Sequence, residues 1–208
     1  MRIGIIGSGN IGGTLTRRFR ALGHDVSVAN SRGPESLGDL AAETGARPTT
    51  VEDAARGSEV VVVAVPLRAV PDLLSEPFRG KVVVDANNYY PQRDGNIVDI
   101  DSGTPSSRWV ARHFVGASVV KAFNNIQSRK LLEDGKAAGE PGRIALPVAG
   151  DNAAAKQTVL SLVDELGFDP IDAGGLDESW RQQPGTPVYV RDLDAQGVKD
   201  ALTAARQP

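Results

Sequence analysis

The stretch Arg2-Ile3-Gly4-Ile5-Ile6-Gly7-Ser8-Gly9-Asn10-Ile11-Gly12 decides the fold. Its first half reads as a strand over Arg2–Gly7, because Ile3, Ile5 and Ile6 make a short apolar run that stops at a glycine. Beyond it the period changes. Ile11, Leu15, Phe19 and Leu22 share one helical stripe, with Arg17, Arg18 and Arg20 turned to water. The glycines between strand and helix form a G-x-G-x-x-G, a weak pattern alone that gains meaning from standing between these two elements. Gly7 permits a tight turn, Gly9 lets backbone approach a pyrophosphate, and Gly12 lets the helix pack closely on the strand. The unpaired N–H groups at the helix start then face the diphosphate. Gly7, Ser8, Gly9, Asn10 and Ile11 are therefore candidate cofactor-binding residues.

Outward from this stretch, strand and helix keep alternating. Gly23 stands where a helix C-terminus needs a left-handed residue, and His24–Ala29 is a second strand. Leu37, Leu40, Ala41 and Thr44 mark a helix stopped by Gly45, and Val51–Arg56 a short one. Glu59–Val65 is apolar on both faces, the habit of a central parallel strand. Leu67–Leu74 reads as helical despite Pro71, Lys81–Ala86 as strand, Ser106–Phe114 as helix and Ala117–Phe123 as strand. Arg143–Ala149 is a further strand; Asp151 or Asn152 caps a helix to Leu166, and Phe168–Asp172 is the last strand. The pattern implies an α/β fold, a Rossmann doubly wound parallel sheet with a short C-terminal extension. Residues 1–172 would form the dinucleotide-binding domain and 173–208 an extension of loop plus short helix. Asn87–Thr104 and Gly174–Val190 are expected to be irregular, and long loops in compact folds are usually functional.

The end of the second strand selects the dinucleotide. NAD-binding domains place an acid there to accept from the ribose 2′-hydroxyl. Here the residues are Val28-Ala29-Asn30-Ser31-Arg32, with no acid. Ser31 can donate to a 2′-phosphate and Arg32 offers a planar fork of donors, so the pattern favours NADP(H), with Asn30, Ser31 and Arg32 as binding residues. Glu35 lies too far along to compete. The nicotinamide half belongs at the carboxyl ends of the strands near Val65-Pro66, Asn87-Asn88-Tyr89-Tyr90 and Asn124-Asn125. Val65, Pro66, Asn87 and Asn124 are the candidates there. None is a conventional acid or base, and the catalytic residues stay unassigned.

Composition narrows the classes. The 208 residues carry a net charge of −3, unlike a nucleic-acid binder, and contain no cysteine and two histidines, so no metal site is expected. His24 and His113 read as structural, and Trp109 and Trp180 as core or interface anchors. No stretch reaches the length of a membrane helix and no signal-peptide pattern opens the chain, which suggests a cytoplasmic location and no membrane partner. The expected partner is a small-molecule substrate, with a homodimer left open.

With these pieces in place the sequence resembles the NADP-dependent oxidoreductases that use coenzyme F420, a deazaflavin. The resemblance rests on Arg2–Gly12, on Ser31-Arg32, and on Leu146-Pro147-Val148-Ala149-Gly150-Asp151 followed by Asp169-Pro170-Ile171-Asp172-Ala173-Gly174. It implies hydride transfer between NADP(H) and F420 as co-substrate, in which alignment of two flat rings does most of the work. The same fold family includes the NADPH-binding domain of some membrane ferric reductases. The chain departs from the family pattern at Asn124, where members carry a histidine, and in the segment Asn87–Gly95 with its paired tyrosines. A flavin, quinone or imine as acceptor is the alternative, as is a redox sensor that holds NADPH without turnover.

Overall fold

The computed structural model describes residues 1–207; Pro208, the last residue of the expected extension, lies outside the described residues. Eight strands, β1 (Arg2–Ile6), β2 (Asp25–Ala29), β3 (Arg47–Pro48), β4 (Val60–Val63), β5 (Val82–Asp85), β6 (Ser118–Lys121), β7 (Ala145–Gly150) and β8 (Asp169–Asp172), form one sheet in the order β3-β2-β1-β4-β5-β6-β7-β8. The chain leaves β1 toward β2 and β3, then crosses back to place β4 on the other side of β1. The switch in strand order therefore falls between β1 and β4, where a doubly wound sheet opens a crevice.

The helices follow from the sequence period. They are α1 (Asn10–Ala21), α2 (Gly38–Thr44), α3 (Val51–Gly57), α4 (Pro91–Asp94), α5 (Val98–Asp101), α6 (Ser106–His113), α7 (Ser128–Glu133), α8 (Ala153–Glu165) and α9 (Ala195–Ala204). β4 shows how one strand feeds two cores. Val60 and Val62 enter the cluster under α1 and α8 with Ile3, Ile5, Phe19 and Leu162, while Val61 and Val63 enter the opposite cluster with Ala54, Phe78, Val110 and Phe114. Asn152 caps α8 by accepting from the Ala155 N–H, and Gly167 ends that helix region at φ 92°. α9 covers the sheet's far edge, where Val198 and Leu202 pack with Ala145, Ile171 and Val188. No described helix is long and apolar enough to cross a membrane.

The architecture departs from the sequence reading in four places. β7 runs antiparallel to β6, while β8 returns parallel to β7. The β6–β7 connection does not cross a face of the sheet: its one helix, α7, packs beside α1, and the chain re-enters from the end it left. Leu67–Asp72 is a 3-10 helix rather than an α-helix, since Pro71 has no N–H to bond the carbonyl a full turn back. The supposedly irregular 87–104 holds α4 and α5, and 174–190 holds a 3-10 turn at Leu176–Gln182. The two-residue β3 and the six-residue α7 are too short to leave a periodic signal.

Candidate functional site

The carboxyl ends of β1, β4, β5 and β6 open into two adjoining cavities that share Gly9, Ala64, Val65 and Pro66. One, of about 530 Å3, lies toward β2 and is lined by Gly7, Ser8, Asn30, Ser31 and Arg32. The other, of about 600 Å3, lies toward β5 and β6 and is lined by Asn10, Ile11, Asn87, Asn88 and Asn124. All twelve residues singled out in the sequence line one cavity or the other.

The three glycines of the loop are not equivalent. Gly7 stands at φ 104°, and a Cβ there would lie 2.2 Å from the Ala64 carbonyl oxygen. A Cβ on Gly12 would lie 1.8 Å from the Gly7 carbonyl oxygen. Those two are required by the protein's own packing. Gly9 is different: a Cβ there meets nothing within 4 Å, although the residue is the N-cap of α1. α1 also has no side-chain cap and no acid in its first turn. Its first N–H groups and the positive end of its dipole face the space that Gly9 leaves open.

On the β2 side, Asn30 ties the loops together. Its Nδ2 donates to the Ser8 hydroxyl at 3.0 Å and the Ser36 hydroxyl at 2.9 Å, and its Oδ1 accepts from the Arg32 N–H at 2.8 Å. This holds the Ser31-Arg32 turn in place while both side chains stay exposed. Glu52 and Asp72 line the same cavity from its outer wall.

On the β5 side a buried charge pair sets the floor. Asp85 and Lys121, both with fully buried side chains, approach to 3.2 Å. The Lys121 ammonium also donates to the Asn87 carbonyl, and Asp85 accepts from the Asn87 N–H at 3.1 Å and the Ser107 hydroxyl at 2.6 Å. Burial pushes the Lys121 pKa down, against the pull of Asp85. The pair thus clamps the backbone of Asn87 from both sides. The Asn87 Oδ1 accepts from the Val65 N–H at 2.8 Å, which fixes the orientation of its amide. Its buried Nδ2 is left with no partner among the described residues.

Asn124 sits at the end of β6, just after Phe123, whose φ of 61° is unusual for a bulky residue. Its Nδ2 donates to the Asn88 Oδ1 at 3.1 Å and the Gln182 carbonyl at 2.7 Å, and its Oδ1 accepts from the Gln182 Nε2 at 3.0 Å. Asn124 therefore borders the cavity with both amide hydrogens committed, linking β5, β6 and the C-terminal stretch.

The paired tyrosines separate in role. Tyr89 turns away: its hydroxyl donates to Asp101 at 2.8 Å and accepts from the Ile97 N–H at 3.0 Å, pinning the loop that carries α4 and α5. Tyr89 lines neither cavity. Tyr90 lines the cavity, and its hydroxyl meets that of Tyr189. The Arg93 guanidinium lies 5.0 Å from the Tyr90 ring centroid and bonds the Asp94 carboxylate. Burial works to raise the Asp94 pKa, but Arg93 and the Tyr90 N–H outweigh it and hold the carboxyl below its usual range. Burial and Tyr90 push the Tyr189 phenol well above the usual tyrosine value.

Residues 2–89 match the family described as NADP oxidoreductase, coenzyme F420-dependent. The solved structure of SMa0349 from Sinorhizobium meliloti, a protein of unassigned function, is 33% identical and covers 93% of this chain and 95% of its own, with a TM-score of 0.80. A proposed F420-dependent NADP reductase from Arthrobacter sp. FB24 is 28% identical, covering 86% of this chain and 87% of its own, with a TM-score of 0.74. Over residues 2–89 the chain belongs to the F420-dependent NADP oxidoreductase family. Human metalloreductase STEAP2 is 27% identical over 210 residues, which take in 98% of this chain and 39% of that protein. The chain spans half or less of the length of the curated relatives it matches.

Several residues of this cleft were invisible to local sequence reading. Tyr189, Gln182 and Arg93 come from segments read as irregular, and Ser128 and Arg129 from the unrecognised α7. A faint signal existed for Tyr189, an aromatic between two valines in a long loop rich in polar residues. Asn125 is buried, and its side chain has no partner, but it does not line either cavity. His24 bonds Glu165 at 3.0 Å and His113 the Leu73 carbonyl at 2.7 Å, and neither histidine lines either cavity.

Proposed function

We propose that this protein transfers a hydride between NADP(H), held across both cavities, and a flat second substrate in the larger one, with coenzyme F420 the favoured acceptor. The observation that carries the reading is the open space at Gly9 beside an uncapped helix N-terminus, between two glycines that packing itself requires. A diphosphate fits there, accepting from the first N–H groups of α1. Ser8 would face the same group, while Ser31 and Arg32 would take the 2′-phosphate on the β2 side, with Asn30 fixing their turn. The unpaired Nδ2 of Asn87 suits an amide oxygen such as the nicotinamide carboxamide, beside Val65 and Pro66.

Bound NADPH would supply a hydride. The residues of the larger cavity orient and shield rather than attack. Asn10, Ile11 and Pro66 give one wall; Asn88 and Asn124, locked to each other, give another. No carboxylate or imidazole lines this cavity, in keeping with a reaction governed by ring alignment. The family resemblance supports F420 over a flavin, quinone or imine. The test is to mix the protein with NADPH and oxidised F420 and follow the visible absorbance of the deazaflavin. Its bleaching in step with NADPH oxidation is the expected result. Persistence of the band with F420, while a flavin or quinone is reduced, would reassign the acceptor. NADPH binding without oxidation by any of them would leave the sensor.

A further inference from the structure

Two phenols face each other over the larger cavity, and their hydrogen bonds do not balance. The Tyr90 hydroxyl has one partner, the Tyr189 hydroxyl. The Tyr189 oxygen has a second, accepting from the Asn88 Nδ2 at 3.4 Å. If Tyr90 donates, the proton of Tyr189 has no acceptor among the described residues; if Tyr189 donates, the proton of Tyr90 has none there. Either way the pair holds two protons, uses one between its oxygens and keeps one uncommitted beside the cavity. Besides these phenols the only hydroxyl among the lining residues is that of Ser128.

We propose that the Tyr90–Tyr189 pair is the proton donor to the acceptor, its uncommitted proton passing to a ring nitrogen or carbonyl oxygen of the flat second substrate as that substrate is reduced. The inference rests on the hydride-transfer reading above. Reduction of a neutral acceptor of this class adds one hydride and one proton, and only the first comes from NADPH. In the second transfer a phenolic O–H of the pair breaks and an N–H or O–H of the acceptor forms. The resulting phenolate is held by the remaining phenolic hydroxyl, the Asn88 amide and the Arg93 guanidinium over the Tyr90 ring, and regains a proton from water. A phenol carries its proton at neutral pH, and burial with the Tyr90 hydrogen bond raises the Tyr189 pKa further, so release of that proton depends on these groups stabilising the phenolate. Two further charged groups border the pair or its cavity: Asp94, which is bound to Arg93 and the Tyr90 N–H, and Arg129, which lines the cavity and is paired with Glu133.

The count makes a distinctive prediction for phenylalanine variants. Tyr90→Phe leaves Tyr189 with its own proton free, and Tyr189→Phe leaves Tyr90 with its own. Each single variant should retain most of the activity, within roughly threefold of the parent, whereas Y90F/Y189F should lose on the order of 100-fold or more, well beyond the product of the single losses. The double variant should also gain a rate that falls with rising pH, because water then supplies the proton. A second readout needs no turnover: oxidised F420, titrated by fluorescence in the presence of NADP+, should bind about tenfold more weakly to the double variant and nearly normally to each single one. NADPH affinity and melting temperature should hold in all three. A double variant whose rate, pH profile and F420 affinity match the parent would overturn the proposal alone, as would a double loss equal to the product of the single losses. A parent protein that binds NADPH yet reduces no acceptor would overturn the functional reading and this proposal with it.

Discussion

Around Gly9 the protein leaves space unfilled, whereas around Asn124 it closes its hydrogen bonds on itself. The first region is made by backbone from consecutive residues, the turn of Gly7–Gly12 between β1 and α1, and its key property is a missing side chain. The second is made by side chains from the ends of β5 and β6 and from residues 182–189, up to 101 positions apart, and its key property is a set of interlocked side-chain amides over a buried charge pair. The difference teaches how one cleft can be general at one end and particular at the other. A phosphate needs only N–H groups and room. An acceptor ring needs walls at fixed positions, and walls drawn from distant segments can change without disturbing the glycine loop.

The largest effect expected is on the networked side. Lys121→Met keeps the volume but leaves the Asp85 carboxylate buried without its cation, at a cost of about 3–5 kcal/mol in denaturant unfolding. A loss below 1 kcal/mol would mean that the pair is not what clamps Asn87. Next comes Gly12→Ala, whose Cβ must displace the Gly7 carbonyl and should destabilise the fold by roughly 3 kcal/mol, the upper end for overpacking. Urea denaturation with an unchanged midpoint would show that the loop can shift freely, and would blunt the contrast with Gly9. The smallest effect is confined to the ligand. Arg32→Ala should weaken NADPH by roughly 10- to 100-fold, about 1.5–3 kcal/mol, and leave NADH and the melting temperature unmoved, because only the Arg32 backbone is bonded within the protein. Equal losses for both dinucleotides in calorimetry would remove Arg32 from the 2′-phosphate site.

The same contrast explains what could be read in advance. The glycine loop, the acid-free end of β2 and the valine run of β4 are local patterns whose meaning depends on neighbours within a few positions, so sequence sufficed to locate them. The reversal of β7, the outward turn of Tyr89 and the meeting of Tyr90 with Tyr189 depend on contacts over long separations. No period or motif encodes those. Tyr89 and Tyr90 differ only in which way a β5-end loop is pinned, and Asp101 and Asp94, farther along the chain, decide that.

Gly9→Val gives the most direct test of the account, because it adds volume where the protein itself has none to lose. The position has φ −72° and ψ −164°, extended geometry that valine adopts without strain, and no atom lies within 4 Å of the new Cβ. Thermal melting and calorimetric titration with NADPH should be run on the same preparation beside the parent. The account predicts an unchanged melting temperature together with NADPH affinity reduced by more than about 100-fold, a loss of over ~2.7 kcal/mol. A folded Gly9→Val protein that binds NADPH as tightly as the parent would contradict it.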